Sequence, residues 1–133
     1  MSATLAALPR GHEFAPTSFT LSSEWMDAYI DAVADAAIRD AGSALVPPMA
    51  IAALSMRALI EASSLPPGTL HAGQELAFHR AVRIGEELTV AASIASRGER
   101  AGWVLMGVDL AVSADGAKVM TGRATVTFPV SEA

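Results

Sequence analysis

Val46-Pro47-Pro48-Met49-Ala50-Ile51-Ala52-Ala53-Leu54-Ser55-Met56-Arg57-Ala58-Leu59-Ile60-Glu61-Ala62 is the stretch that decides the fold. Proline suits the first turn of a helix, because the N–H it lacks has no intrahelical partner there. From Met49 on, only Ser55, Arg57 and Glu61 are polar; Ile51, Leu54 and Ala58 share one face, and Met56, Leu59 and Ile60 fall on others. A helix that is apolar nearly all round belongs inside a protein. Ser63-Ser64 and Pro66-Pro67-Gly68 then stop it. The pattern predicts one long buried helix over about 48–63.

Everything after Gly68 reads as strand. Leu76 and Phe78 alternate with Ala77 and His79, and residues 83–87 make a turn around Gly85. A second strand runs from Leu88 to Ile94, followed by a polar turn at Ser96-Arg97-Gly98-Glu99-Arg100. A third runs from Trp103 to Val112, and Asp115-Gly116 carries the hairpin signal of a two-residue turn. Val119 to Val130 is the fourth, with Val126 and Phe128 alternating against Thr125 and Thr127. A buried helix followed by an antiparallel meander that can curl around it is an α+β domain.

Before the helix, Pro9, Gly11 and Pro16 punctuate Met1 to Pro16, which reads as a flexible arm, leaving 17–133 as a single domain. Phe19-Thr20-Leu21 suggests a short strand. Ser22-Ser23-Glu24 offers a hydroxyl cap and an acidic first turn, and Trp25, Tyr29, Ala32 and Val33 recur at helical spacing as far as about Asp35.

The chain has 133 residues, enough to bury a core without disulfide or metal staples. Apolar residues make up 52% and charged residues 17%, which excludes a disordered chain and points to extra covered surface, read here as a subunit interface. Nine basic residues against fourteen acidic ones give a net charge of -5 and no basic cluster, a poor basis for binding nucleic acid. With no cysteine there is no thiolate nucleophile and no cysteine-ligated metal, and His12, His71 and His79 are too dispersed for a histidine metal site. No signal-peptide pattern and no long uncharged apolar run occur, so the expectation is a cytoplasmic protein without a membrane span.

Residues 70–90, Leu-His-Ala-Gly-Gln-Glu-Leu-Ala-Phe-His-Arg-Ala-Val-Arg-Ile-Gly-Glu-Glu-Leu-Thr-Val, carry a more specific signal. A histidine, a Gln-Glu strand, a His-Arg pair and a Gly-acidic turn in this order resemble the MaoC-like dehydratase family, most closely its N-terminal, fungal fatty-acid-synthase-like subgroup. Val46-Pro47-Pro48-Met49 resembles that subgroup's lead-in to its central helix, and residues 29–35 resemble the helix before its catalytic loop. The resemblance spans roughly Phe19 to Pro129. It implies a hotdog fold, with an antiparallel sheet wrapped around one long helix. It also implies a homodimer or a heterodimer with a catalytic hotdog chain, acting on acyl thioesters of coenzyme A or acyl carrier protein, with no cofactor of its own. The implied reaction adds water to trans-2-enoyl thioesters or removes it from (R)-3-hydroxyacyl thioesters.

The family's dyad is an aspartate followed, after four intervening residues, by a histidine, one group holding water and the other handling the proton. Asp35 stands at the aspartate position, but Asp40 stands where histidine is expected, and Ala37-Ile38 replaces the usual Asn-Pro. Two carboxylates form an acid/base pair if one pKa is raised; otherwise this segment is a solvated loop in a silent hotdog. His71 is either a group at the cleft or a turn-capping residue. The backbone N–H groups of Met49 and Ala50 would hold the thioester oxygen, with Pro48 beside them contributing no donor. Arg80 and Arg83 are candidates for coenzyme A phosphates, while His79 reads as structural, paired with Glu75 or a neighbouring strand. Trp25 and Trp103 line an acyl tunnel or cover the core, and Met49, Met56 and Met106 read as fill.

Three functions compete: the catalytically degenerate half of a hydratase or dehydratase, a stand-alone hotdog thioesterase, and a non-enzymatic acyl-thioester-binding or assembly subunit. Of the carboxylates available to a thioesterase, Glu61 lies far along the helix, leaving Asp35 or Asp40.

Overall fold

The computed structural model describes residues 3–33 and 45–130. Its elements in chain order are β1 (Ala3–Thr4), a 3-10 turn (Leu5–Ala7), β2 (Thr17–Thr20), α1 (Ser23–Val33), α2 (Pro48–Ala62), β3 (Ser63–Ser64), β4 (Leu70–Phe78), β5 (Glu87–Arg100), β6 (Trp103–Ala114) and β7 (Ala117–Pro129). Five strands form one sheet in the order β2-β5-β6-β7-β4, every neighbouring pair antiparallel.

Strict alternation makes β6 the sheet's spine: Val104, Met106, Val108, Leu110, Val112 and Ala114 are all buried on the face toward α2. On β7 the matching set is Met120, Ala124, Val126 and Phe128. Against them α2 buries Ala50, Ile51, Ala52, Leu54, Ser55, Ala58 and Leu59. Each leucine or isoleucine removed from water there stabilises the fold by about 1.5–3 kcal/mol. The buried Ser55 hydroxyl donates to the Ala52 carbonyl at 2.7 Å, and Ser63 donates to Leu59 at 3.0 Å, so neither is left unsatisfied.

The helix expected to be buried all round has one open side. Met49 is 59% exposed and Ile60 50%, beside an Arg57–Glu61 pair at 2.9 Å, because a sheet wrapped around one side of a helix covers only that side. In α1 the Ser22 hydroxyl accepts the Trp25 N–H at 3.1 Å, the expected cap. Among the described side chains of α1, Met26 is buried and Trp25 and Tyr29 stack 5.6 Å apart against the core, while Ala32 is exposed.

Two further expectations are corrected. Ser96 to Arg100 is not a turn: β5 runs through it to Arg100, and the chain reverses at Ala101-Gly102. Both residues there have positive φ, 52° and 83°, the two-residue geometry that suits hairpin twist, and Asp115-Gly116 repeats it at 50° and 77°. Nor do the described residues of the N-terminal segment stand off as an arm. Leu5 and Phe14 are buried, β1 pairs with β3, and Gly11, His12 and Phe14 exchange backbone hydrogen bonds with Ile94 and Ala92 of β5. The Arg97 guanidinium donates to the Leu8 carbonyl at 3.3 Å. Their apolar side chains outweigh the proline and glycine punctuation, and the segment becomes a strap along the β5 edge.

Candidate functional site

The start of α2 is fixed from both sides. The Val46 N–H donates to the Val82 carbonyl at 2.7 Å, and Leu45 bridges Arg83, so the Pro47-Pro48 lead-in is tied to the β4–β5 connection. No side chain caps the helix, and the Ala50 N–H turns back to the Pro47 carbonyl at 3.0 Å. Of the two predicted donors, Met49 therefore carries the N–H that no described group accepts, at an exposed position, while Ala50 lies in the core.

The β4–β5 connection is rigidified by one carboxylate. Glu86 takes both arms of the Arg80 guanidinium, at 2.7 and 3.3 Å, and accepts the Arg83 N–H at 2.6 Å. These bonds, the Arg80 one foremost, pull the Glu86 carboxyl down from 4.5 to about 2, and the same pairing raises Arg80. Arg80 also donates to the Ala81 carbonyl, so its guanidinium is engaged within the protein, while Arg83 is exposed beside Leu45. A carboxyl with a depressed folded-state pKa stabilises the fold above its unfolded pKa and loses that contribution as pH falls through its folded one. Wild type should therefore melt above Glu86→Gln at pH 7, and the gap should close between about pH 4.5 and pH 2. Melting temperature against pH for both proteins checks this; a gap that persists at pH 2 would assign the effect to packing.

The strand β4 holds the other group. Its register against β7 shifts between His71 and Gly73, so His71 pairs with Val126 and Gln74 with Ala124. Antiparallel partners share a face, and Val126 and Ala124 both lie on the core side. The bulge thus places His71 and Gln74 on one face, although three residues of regular strand would have put them on opposite ones. In the sequence Gln74 stands only in the Gln-Glu strand of the resemblance and not among the candidate site residues, and Ala72-Gly73 is the one available sign of the irregularity. Its Nε2 is buried and has no hydrogen-bond partner. His79 lies just past β4, with Nε2 2.9 Å from the Thr121 hydroxyl on β7, a contact with the neighbouring strand and not with Glu75. Trp103 is 40% exposed on β6, while Met106 is core. Asp35 and Asp40 lie outside the described residues.

On the other face of the sheet, a concavity of about 850 Å³ is floored by Ala77, Ala111 and Thr121 and crossed by an Asp109–Arg123 ion pair at 2.7 Å. None of the described site residues lines it. Among the described residues no helix is long and apolar enough to cross a membrane, and no cluster of histidines and carboxylates could hold a metal ion.

Solved structures that share the fold include the following three. An (R)-hydratase from A. caviae involved in PHA biosynthesis superimposes with a TM-score of 0.74 at 22% identity, covering 92% of this chain and 98% of its own. A MaoC-like dehydratase from Rhodospirillum rubrum gives 0.75 at 19%, covering 99% and 100%. One chain of the C-terminally truncated HadBC (3R-hydroxyacyl-ACP dehydratase) complex from Mycobacterium tuberculosis gives 0.70 at 22%, covering 93% and 100%. A search of curated protein sequences finds no match. The profile of a family described as "FAS1-like, dehydratase domain region" matches residues 10–122. With the dehydratase profile spanning most of the sequence and the sheet-wrapped helix in place, the chain belongs to the FAS1-like dehydratase domain family of MaoC-like hotdog proteins.

Proposed function

We propose that this chain is the acyl-thioester-binding subunit of an (R)-specific enoyl-thioester hydratase or 3-hydroxyacyl-thioester dehydratase, and that it is the catalytically degenerate half, with a second hotdog chain supplying the histidine. What supports this reading is one position: the chain belongs to a dehydratase family, and the resemblance of residues 35–40 to that family's dyad puts Asp40 in place of its histidine. A carboxylate in that place lacks the imidazole's ability to exchange a proton near neutral pH. The Met49 N–H at the uncapped start of α2 is the donor for the thioester oxygen, with Pro48 and Ala50 shaping its surroundings. Arg83 is the cation left for the carrier's phosphates.

The sheet edges support a partner. On the β5 side, β2 and the N-terminal strap occupy the edge; among the described residues, no strand pairs with the outer edge of β4. The His79 N–H donates to Val119 on β7, so by strand alternation the N–H groups of Gln74, Leu76 and Phe78 point outward. Leu70 and Phe78, 56% and 40% exposed, mark the two ends of this nine-residue edge. An open edge of that length is a template for another chain. The reading predicts that the protein binds butyryl-CoA, a saturated thioester that it cannot turn over, in a calorimetric titration. No binding by folded protein would overturn it.

A further inference from the structure

Among the described residues, the Gln74 Nε2 makes no hydrogen bond. That nitrogen is shielded from solvent and donates to no described group, an arrangement that costs free energy because water bonds are lost and none replaces them. Such groups are rare, and one that persists calls for an acceptor from outside the chain. The bulge that carries Gln74 adds a second, independent observation. It turns Gln74 to the face of β4 that also carries His71, about 7 Å away along the strand, and bulges of this kind re-aim side chains next to active sites.

We infer that Gln74 Nε2 is a second hydrogen-bond donor, beside the Met49 N–H, to the carbonyl oxygen of the bound acyl thioester, making Gln74 a substrate-positioning residue of the edge strand. The inference rests on the acyl-thioester reading above. A donor is the required polarity, because a thioester carbonyl only accepts. An amide held unpartnered in the free protein and satisfied in the complex raises affinity without stabilising the empty site.

The test is a pair of titrations on wild type and Gln74→Met, a replacement of similar length and volume without the amide. The ligands are butyryl-CoA and its thioether analogue S-butyl-CoA, which lacks only the carbonyl. Gln74→Met should weaken butyryl-CoA about tenfold and leave S-butyl-CoA unchanged, while the free protein melts at or above the wild-type temperature. Equal binding of butyryl-CoA by both proteins overturns the inference alone, as does an equal loss for both ligands. A melting temperature lowered by more than about 4 °C would assign the amide to the fold and overturn it too. Failure of wild type to bind either ligand overturns the acyl-thioester reading and this inference with it.

Discussion

Leu70→Lys combined with Phe78→Lys is expected to turn a dimer into a monomer of half the mass, weakening association by about a hundredfold or more. Leu70 is 56% and Phe78 40% exposed in the single chain, so the double variant should still fold, at a cost of about 1–2 kcal/mol to its own stability. At a strand-to-strand junction the effect is different in kind. A strand pairing antiparallel along β4 would cover the apolar ends of the edge, and a buried lysine there faces either desolvation or a gap in the pairing. Sedimentation velocity separates the outcomes directly: the wild-type chain should run as a dimer and the double variant as a monomer with unchanged circular dichroism. A double variant that still dimerises would place the interface elsewhere.

Gly122→Ala is expected to be the most damaging single-methyl addition to the sheet. A Cβ at that position would sit 2.5 Å from the Glu75 carbonyl oxygen and 3.0 Å from Leu76 Cδ2. The carbonyl is backbone, so relief requires β4 to move away from β7, at a cost of about 1–3 kcal/mol and roughly 4 °C of melting temperature for each kcal/mol. The strand that moves is the one carrying His71, Gln74 and the open edge, so ligand binding and association should weaken together with stability. Gly107→Ala is the control. Its Cβ would also approach within 2.5 Å of an atom, but that atom is the Ser96 hydroxyl, the free end of a side chain that can rotate. This variant should stay within about 1 kcal/mol of wild type, since the clash is avoidable and alanine restricts the unfolded chain. Comparable melting temperatures for the two variants would show that the sheet absorbs the displacement and that β4 is not held as tightly as its register indicates.

How much of this was legible beforehand depends on the element. The central helix and the Asp115-Gly116 hairpin declare themselves, because a proline-led apolar run and a left-handed dipeptide are local signals that the tertiary structure does not override. The Ala101-Gly102 turn does not, since alanine at a φ of 52° carries no turn preference and the polar residues before it belong to a solvent-exposed strand end. Pro9, Gly11 and Pro16 argued for a loose arm; what decides the matter is whether Leu5 and Phe14 find a surface to bury against, and that surface is made by β5 and α2, residues far away in sequence. The same limit applies to the site. His71 and Arg83 can be singled out by type, but a one-residue register shift decides which face His71 shares with Gln74, and side-chain alternation read along the sequence gives the opposite answer. The engagement of Arg80 by Glu86 is likewise a property of the folded turn, where six residues of separation close to 2.7 Å.

The central claim is that this chain binds an acyl thioester without carrying out the chemistry itself. The direct measurement is hydration of a short trans-2-enoyl-CoA by the purified chain alone, followed by loss of the conjugated thioester absorbance. Folded protein that binds butyryl-CoA yet hydrates nothing is the predicted result. Turnover that disappears in Asp35→Asn would contradict it, because the chain would then be a complete hydratase in which Asp40 does the work expected of histidine.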